Sequence, residues 1–320
     1  MKAIVYTKYG SPDVLQQMEV PKPIPKDNEV LVKVHATTLN RTDCGFRKPD
    51  YFIIRLFNGF FEPKVKILGS EFAGTVETIG SKVSTFKVGD EVFGLSTGKF
   101  GAHAEYICVS ESGSIAIKPD NFSLEEAAAV SDGLMLANGY LKDLDYSQPQ
   151  KILIYGASGS IGTAGVQYAK YLGAKVTAVC NTKNVELVRS LGADEVIDYT
   201  KTDFTLAGND FDYVFDAVGK SSFFKCRKLL KPKGVYVSTE FGYLAQNLFL
   251  TLLTPIFGGK RVKFPIATDK KGDILFFKKL IESGKYRAVI DRRYPLSDII
   301  EATKYVETGE KTGNVVINVG

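Results

Sequence analysis

The sequence predicts an α/β protein in which a doubly wound parallel sheet is joined to a mainly antiparallel β domain. Three observations predict it. The first hundred residues carry short alternating strands punctuated by glycines. From Lys151 onward, strand-like and helix-like segments alternate. The first strand of that alternating part runs into Gly156, Gly159 and Gly162 and then a helix.

The elements follow in chain order. The start, MKAIVYTKYG, reads as a strand and lacks the charged-then-apolar plan of a signal peptide. Pro21, Pro23 and Pro25 mark an extended connection. Glu29 to Ala36 alternates apolar and polar residues, as a half-buried strand does. Phe72 to Ile79 and Glu91 to Phe93 are further strands between glycine turns. The pattern changes at Ser123, which caps a helix with Glu126 three residues on. Strands are then expected at 151–155, 175–180, 195–199, 212–218 and 234–239, with helices at 162–172, 185–191 and 222–230 between them. The tail reads as helix (270–283), short strand, helix (297–307) and last strand (314–319), returning to the first domain. The expected division is 1–122, 123–265 and 266–320.

The 320 residues are 44% hydrophobic and 24% charged, a globular composition that excludes general disorder. The net charge of +5 reads as mild and spread along the chain, which speaks against a nucleic-acid partner. Four cysteines without a C-x-x-C pair fit reduced thiols and a cytoplasmic setting. The apolar stretch 243–257 falls short of the ~20 residues that span a bilayer, and Gln246, Asn247 and Pro255 interrupt it. It reads as an interface or pocket helix without stable membrane insertion, with a membrane-surface contact as the alternative.

The sharpest motif is KILIYGASGSIGTAGVQYAK at 151–170. Amide N–H groups at a helix N-terminus favour an anion, and glycines let a pyrophosphate approach them. The expected dinucleotide cradle is Gly156, Ala157, Ser158, Gly159, Ser160, Ile161 and Gly162, completed by Val218 and Gly219 after the 212–218 strand. The second strand ends Asn181-Thr182-Lys183 with no acid, so Asn181 and Lys183 favour the 2′-phosphate of NADPH over the free ribose of NADH.

Five matches then carry a resemblance: the MKAIVYTKYG start, LNRTD at 39–43, LGSEFAGTVETIG at 68–80, the glycine turn with LGADEVIDY at 191–199, and the closing GNVVINV. Together they resemble the zinc-free quinone oxidoreductase branch of the medium-chain dehydrogenase/reductase superfamily. The resemblance implies a GroES-like catalytic domain wrapped around a Rossmann domain. It also implies that Lys183 and Tyr199 grip the 2′-phosphate and that Asn40 lies near the nicotinamide. Where zinc alcohol dehydrogenases place Cys, His and Cys, this chain has Asn40, Ser70 and Asp132, with Glu71 beside them; no metal is expected.

Without a Lewis acid, an electron-poor acceptor is easier to reduce than an alcohol is to oxidise. The expected reaction is hydride transfer from NADPH to a small hydrophobic quinone or enone, with Asn40, Asp43 and Tyr51 as candidates near the reacting atoms. Asp43 has a plain alternative as a helix cap and Tyr51 as wall packing. The aromatic stretch 51–67 is expected to form a pocket wall or lid. A homodimer is plausible on the resemblance. The rivals are an alcohol dehydrogenase, an enoyl-thioester reductase and an NADPH-binding sensor without turnover.

Overall fold

The structure is a computed structural model, and it describes residues 1–49, 52–264, 268 and 270–320. The chain divides into two compact units, one of residues 1–132 with 269–320 and one of residues 133–268. The first division falls at Asp132/Gly133 rather than at 122/123. The Ser123 helix is the reason: it packs on the sheet of the first unit, against its strands at 29–39, 71–79 and 91–95. The second falls at 268/269 rather than at 265/266.

The first unit opens with a hairpin of β1 (Lys2–Val5) and β2 (Gln16–Glu19). Next come β3 (Glu29–Leu39), α1 (Arg41–Arg47), α2 (Phe52–Asn58), β4 (Glu71–Ile79), β5 (Glu91–Leu95), β6 (Tyr106–Ser110), β7 (Ile115–Ile117) and α3 (Leu124–Ala128). Ser123 and Glu126 form the expected capping box at α3. A second capping box stands at α1, where Asn40 is the cap and Asp43 its partner. Helix α4 (Ser131–Leu141) carries the chain across the division.

The second unit contains β8 (Lys151–Tyr155), α5 (Ser160–Tyr171), β9 (Lys175–Cys180), α6 (Val185–Ser190), β10 (Glu195–Asp198), β11 (Phe211–Asp216), α7 (Phe223–Cys226), β12 (Leu230–Ser238), α8 (Gln246–Leu253) and β13 (Arg261–Lys263). Its six strands are all parallel, in the order β10-β9-β8-β11-β12-β13. The order reverses between β8 and β11, and this switch point is where such sheets open a crevice at their carboxyl ends. The helix expected at 222–230 is shorter. It is α7 plus a 3₁₀ turn, because the chain is already extended from Leu230, where β12 begins, and Pro232 would break a longer helix.

The chain returns through α9 (Lys271–Glu282), β14 (Ile290–Pro295), α10 (Ile299–Glu307) and β15 (Asn314–Asn318) to the first unit. There the sheet order is β14-β15-β3-β4-β5-β7, with β6 also paired to β3. The last strand therefore sits inside the sheet, antiparallel to β3 with Val315 opposite Leu39. One core of this unit joins Ile4, Tyr6 and Leu39 to Ile299, Val306, Val315 and Ile317, so residues from both chain ends share it.

Candidate functional site

Two sets of residues carry the chemistry, one in each unit. In the second unit β8 and β11 lie side by side with Tyr155 opposite Asp216, so the turns that follow them emerge together. After β8 the backbone folds back at once: Gly156 takes φ +79°, and Gly156 and Ala157 both donate to the carbonyl of Val179 in β9. A Cβ on Gly156 would lie 2.5 Å from Val218, and one on Gly162 would lie 2.1 Å from the Gly156 carbonyl oxygen. Both glycines are thus demanded by close packing of the turn.

Gly159 differs. It has φ −76°, open to any residue, and a Cβ there would meet nothing closer than 3.6 Å. Neither backbone nor packing requires a glycine at that point, and the space it leaves lies at the N-terminus of α5. That helix has no side-chain cap, and the amides of Ile161 and Gly162 lie in its first turn, where the helix itself offers no acceptor. The arrangement fits a dinucleotide pyrophosphate: first-turn N–H donors, a favourable helix dipole and room for a close approach. Ala157 is buried in the turn, and Ser158 is partly exposed beside it.

Around this turn the structure places the other expected residues. Asn181 follows β9 directly, and its side-chain oxygen accepts from Asn184 at 2.7 Å. Lys183 lies in the following 3₁₀ turn. Tyr199 is half-exposed just past β10, with its N–H donating to the carbonyl of Cys180 in β9, so Asn181 and Tyr199 flank the same strand end. Val218 and Gly219 form the turn after β11, and Gly219 has φ +64°.

The sequence reading missed the group that holds this turn, Asp216. It is fully buried, and one carboxylate oxygen accepts from the N–H of Gly219 at 2.8 Å and of Val218 at 3.2 Å. The other accepts from the N–H of Ser221 at 2.9 Å and the Tyr236 hydroxyl at 3.0 Å. Burial pushes its pKa up, and the four donors pull it back. An acid ending a strand just before V-G is the signal that could have found it.

In the first unit Asn40, Asp43, Ser70, Glu71 and Asp132 form a buried polar cluster. The Asn40 side-chain oxygen accepts from the Asp43 N–H at 3.1 Å, and its amide donates to the Ser70 hydroxyl at 3.3 Å. Asp43 accepts from the N–H of Asn40 at 2.9 Å and of Gly69 at 3.0 Å, which ties α1 to the segment entering β4. Asp43 thus does the work of a cap, positioning Asn40 and Gly69. Glu71 accepts the Asp132 N–H at 2.7 Å and the Thr38 hydroxyl. Burial raises the pKa values of Glu71 and Asp132. The Lys311 ammonium sits near both carboxylates and donates to the Gly313 carbonyl at 2.6 Å, and burial pushes it down to about 8. Lys311 was not foreseen, because 311 is remote in sequence from 71 and 132.

His103 is buried with Nε2 donating to the Thr38 carbonyl at 2.9 Å, and His35 reaches Gly320 and Thr75. Both are framework groups. Tyr51, the third expected catalytic residue, lies outside the described residues. From the aromatic stretch around it, Phe60 and Phe61 are exposed and meet edge to face at 4.9 Å, while Asn58 is buried and anchors the stretch to Tyr6 and Val65.

Donor chemistry bears on zinc. Asn40 presents an N–H, not a lone pair, to Ser70, and the remaining candidate donors are one hydroxyl and one carboxylate. Zinc sites are built from thiolates, imidazoles and several carboxylates. The residues at these positions do not fit the metal. Among the described residues no group of three or more His, Cys, Asp or Glu could hold one.

A parallel sheet with a bare glycine turn at its switch point, in one chain with this β domain, is the build of a nicotinamide-dependent oxidoreductase. Residues 26–120 match the family described as alcohol dehydrogenase GroES-like domain, and residues 191–317 the family described as zinc-binding dehydrogenase. The chain is 36% identical to 2-methylene-furan-3-one reductase of Solanum lycopersicum, over 99% of this chain and 79% of that protein. It is 34% identical, over the same shares, to the chloroplastic NADPH-dependent alkenal/one oxidoreductase of Arabidopsis thaliana. Among solved structures, the quinone oxidoreductase of Escherichia coli complexed with NADPH superposes with a TM-score of 0.85 at 25% identity, covering 100% of both chains. The chain belongs to the quinone oxidoreductase branch of the medium-chain dehydrogenase/reductase superfamily.

Proposed function

We propose that the protein is an NADPH-dependent reductase of quinones and α,β-unsaturated carbonyl compounds that works without zinc. The observation that carries this reading is Gly159, where a Cβ would meet nothing closer than 3.6 Å, standing at the N-terminus of α5 in front of the Ile161 and Gly162 amides, where a pyrophosphate has room and donors. Ser160, Ile161 and Gly162 would hold the pyrophosphate. Lys183, Asn181 and Tyr199 would face the 2′-phosphate, with no acid at the end of β9 to repel it. Val218 and Gly219, braced by Asp216, would form the opposite rim. When bound, the cofactor supplies a hydride. The names of the relatives, an alkenal/one oxidoreductase and a furanone reductase among them, support an activated alkene as acceptor.

The chain's own contribution to that step is electrostatic. Hydride addition leaves negative charge on the carbonyl oxygen of the acceptor, and donors aimed at that oxygen lower the barrier. The Asn40 amide has a second N–H beyond the one given to Ser70, and the Ser70 hydroxyl proton has no acceptor among the described residues. These two are the proposed oxyanion donors. Asp43 positions Asn40 through the capping box and takes no proton itself. Tyr51 stays a candidate proton donor by its place in the sequence. Four free cysteines, three of them buried, suit a reducing compartment such as the cytoplasm.

The test is consumption of NADPH and of NADH against a panel of enals, enones, quinones and alcohols. Enone and quinone reduction with NADPH is expected to dominate, and Lys183→Glu should cut NADPH affinity about tenfold or more while sparing NADH. Dominant alcohol oxidation, or tight NADPH binding without turnover on any acceptor, would refute the reading.

A further inference from the structure

Five acids are buried among the described residues: Glu29, Asp43, Glu71, Asp132 and Asp216. The carboxylates of four are served. Asp43 and Glu71 each accept two hydrogen bonds and Asp216 accepts four. Glu29 accepts from the Lys26 N–H at 3.2 Å and from Lys99 at 3.4 Å. Asp132 is the exception. It is 7% exposed, its N–H is spent on Glu71, and among the described residues no donor or cation stands within bonding distance of its carboxylate. An unserved carboxylate in a dry site is costly unless it is protonated or faces a ligand. The Ser131 hydroxyl, next to it in the chain, is also sealed without a partner. The two residues that open α4 thus hold polar capacity that the fold does not use.

The place of Asp132 gives that capacity a use. Glu71 fixes the Asp132 N–H at 2.7 Å, so the start of α4 is tied to the chain right beside Ser70. Asp43, which braces Asn40 from α1, is near enough for its charge to act on Asp132. Asp132 therefore belongs to the same buried cluster as Asn40 and Ser70. Burial and the charge of Asp43 raise its pKa, while Lys311, ahead of β15, pulls the other way without forming an ion pair. Glu71, in β4, and Asp132 oppose each other's ionisation. The dipole of α4 favours the anion. A carboxyl poised between its two forms suits a general acid.

We propose that Asp132 is the proton donor of the reaction, giving its proton to the α-carbon of an enone whose carbonyl oxygen is held by Asn40 and Ser70. The proposal rests on the reading of the protein as an enone reductase. Hydride reaches the β-carbon with its electron pair, and the alkene pair shifts to form the enolate. The enolate then takes the proton at its α-carbon as the Asp132 O–H bond breaks. The carboxylate left behind is reprotonated from water. The α-carbon is two bonds from the oxygen, so its donor has to stand beside the oxyanion donors, as Asp132 does. Carbon accepts protons slowly, whereas the oxyanions of a hydroquinone are protonated by water unaided, so the enone needs the acid far more than a quinone does.

The experiment compares Asp132→Asn with the unsubstituted protein on an α-methyl cyclic enone and on a quinone, with NADPH as reductant. The variant is expected to lose about a hundredfold in kcat on the enone and roughly tenfold less than that on the quinone. In the unsubstituted protein, kcat on the enone should fall as pH rises through the titration of the carboxyl, and the variant should lack that fall. The enone product has a stereocentre at its α-carbon. Delivery from one side gives one enantiomer, and the variant should drift towards a racemate. Thermal midpoint and NADPH affinity, the latter by fluorescence titration, check that the variant is folded and binds cofactor. The enantiomeric ratio from the unsubstituted protein needs no variant, and a racemic product by itself would overturn the proposal. Equal losses on both acceptors, an unchanged ratio in Asp132→Asn, or racemisation in Tyr51→Phe instead would overturn it too while leaving the reductase reading intact. Failure of the unsubstituted protein to reduce any enone would overturn both.

Discussion

At the scale of single residues, the buried acids do the positioning. Asp216 receives four hydrogen bonds from the turn that forms one rim of the cofactor cradle. Asp216→Ala leaves those donors without an acceptor in a dry site, and each such loss costs 1 kcal/mol or more. A destabilisation of about 3 kcal/mol is expected in urea unfolding, with weaker NADPH binding in the fraction that stays folded. Glu71 gives a pH-dependent prediction. Burial raises its folded pKa above the unfolded value, so the native state holds more protons across the interval between them. Its contribution to stability is complete below the ordinary carboxylate range and is lost as pH rises through the folded value. Glu71→Gln keeps an acceptor for the Asp132 N–H and removes the titration. The thermal midpoint of this variant, relative to the unsubstituted protein, should therefore climb between about pH 5 and pH 8. Asp132 titrates in the same sense, so the slope of the variant should shrink without vanishing.

At the scale of elements, α5 separates packing from function within one turn. A Cβ at Gly162 would sit against the Gly156 backbone at 2.1 Å, whereas at Gly159 it would make only ordinary contacts, at 3.6 Å and beyond. Gly162→Ala is expected to lower the thermal midpoint by several degrees and take cofactor binding with it, since the strain falls on the turn itself. Gly159→Val should leave the midpoint almost unchanged and weaken NADPH by tenfold or more, read by fluorescence titration. Loss of stability at Gly159, or intact NADPH binding there, would show that the cradle does not receive the pyrophosphate. This contrast was half legible in the sequence. Strand, three glycines and helix marked the motif, but which glycine serves the backbone and which the ligand depends on what each Cβ would touch.

At the scale of the whole molecule, the chain closes its first unit with its last strand. β15 lies between β14 and β3, and its Val315 and Ile317 are buried in a core with Ile4 and Tyr6 from the start of the chain. Deleting residues 314–320 removes an interior strand and exposes two sheet edges at once. The truncated protein is expected to lose cooperative unfolding of the first unit and to aggregate, seen as a missing transition in calorimetry and loss of the monodisperse peak in gel filtration.

The sequence by itself determined the alternation of strand and helix, the glycine turn and the Ser123–Glu126 capping box, because each is a short-range pattern written in neighbouring residues; Asn40, Ser70 and Asp132 at the zinc-ligand places were legible only through the family resemblance. Tertiary structure alone decided what distant residues do to one another. It brought Lys311 to the Glu71–Asp132 pair, set Asp216 under the rim of the cradle, and placed the 123–132 segment with the first unit. The physical reason is that desolvation and Coulomb interaction act through space: sequence periodicity reports which face of an element is apolar, while the neighbour across that face is set only when the chain closes on itself.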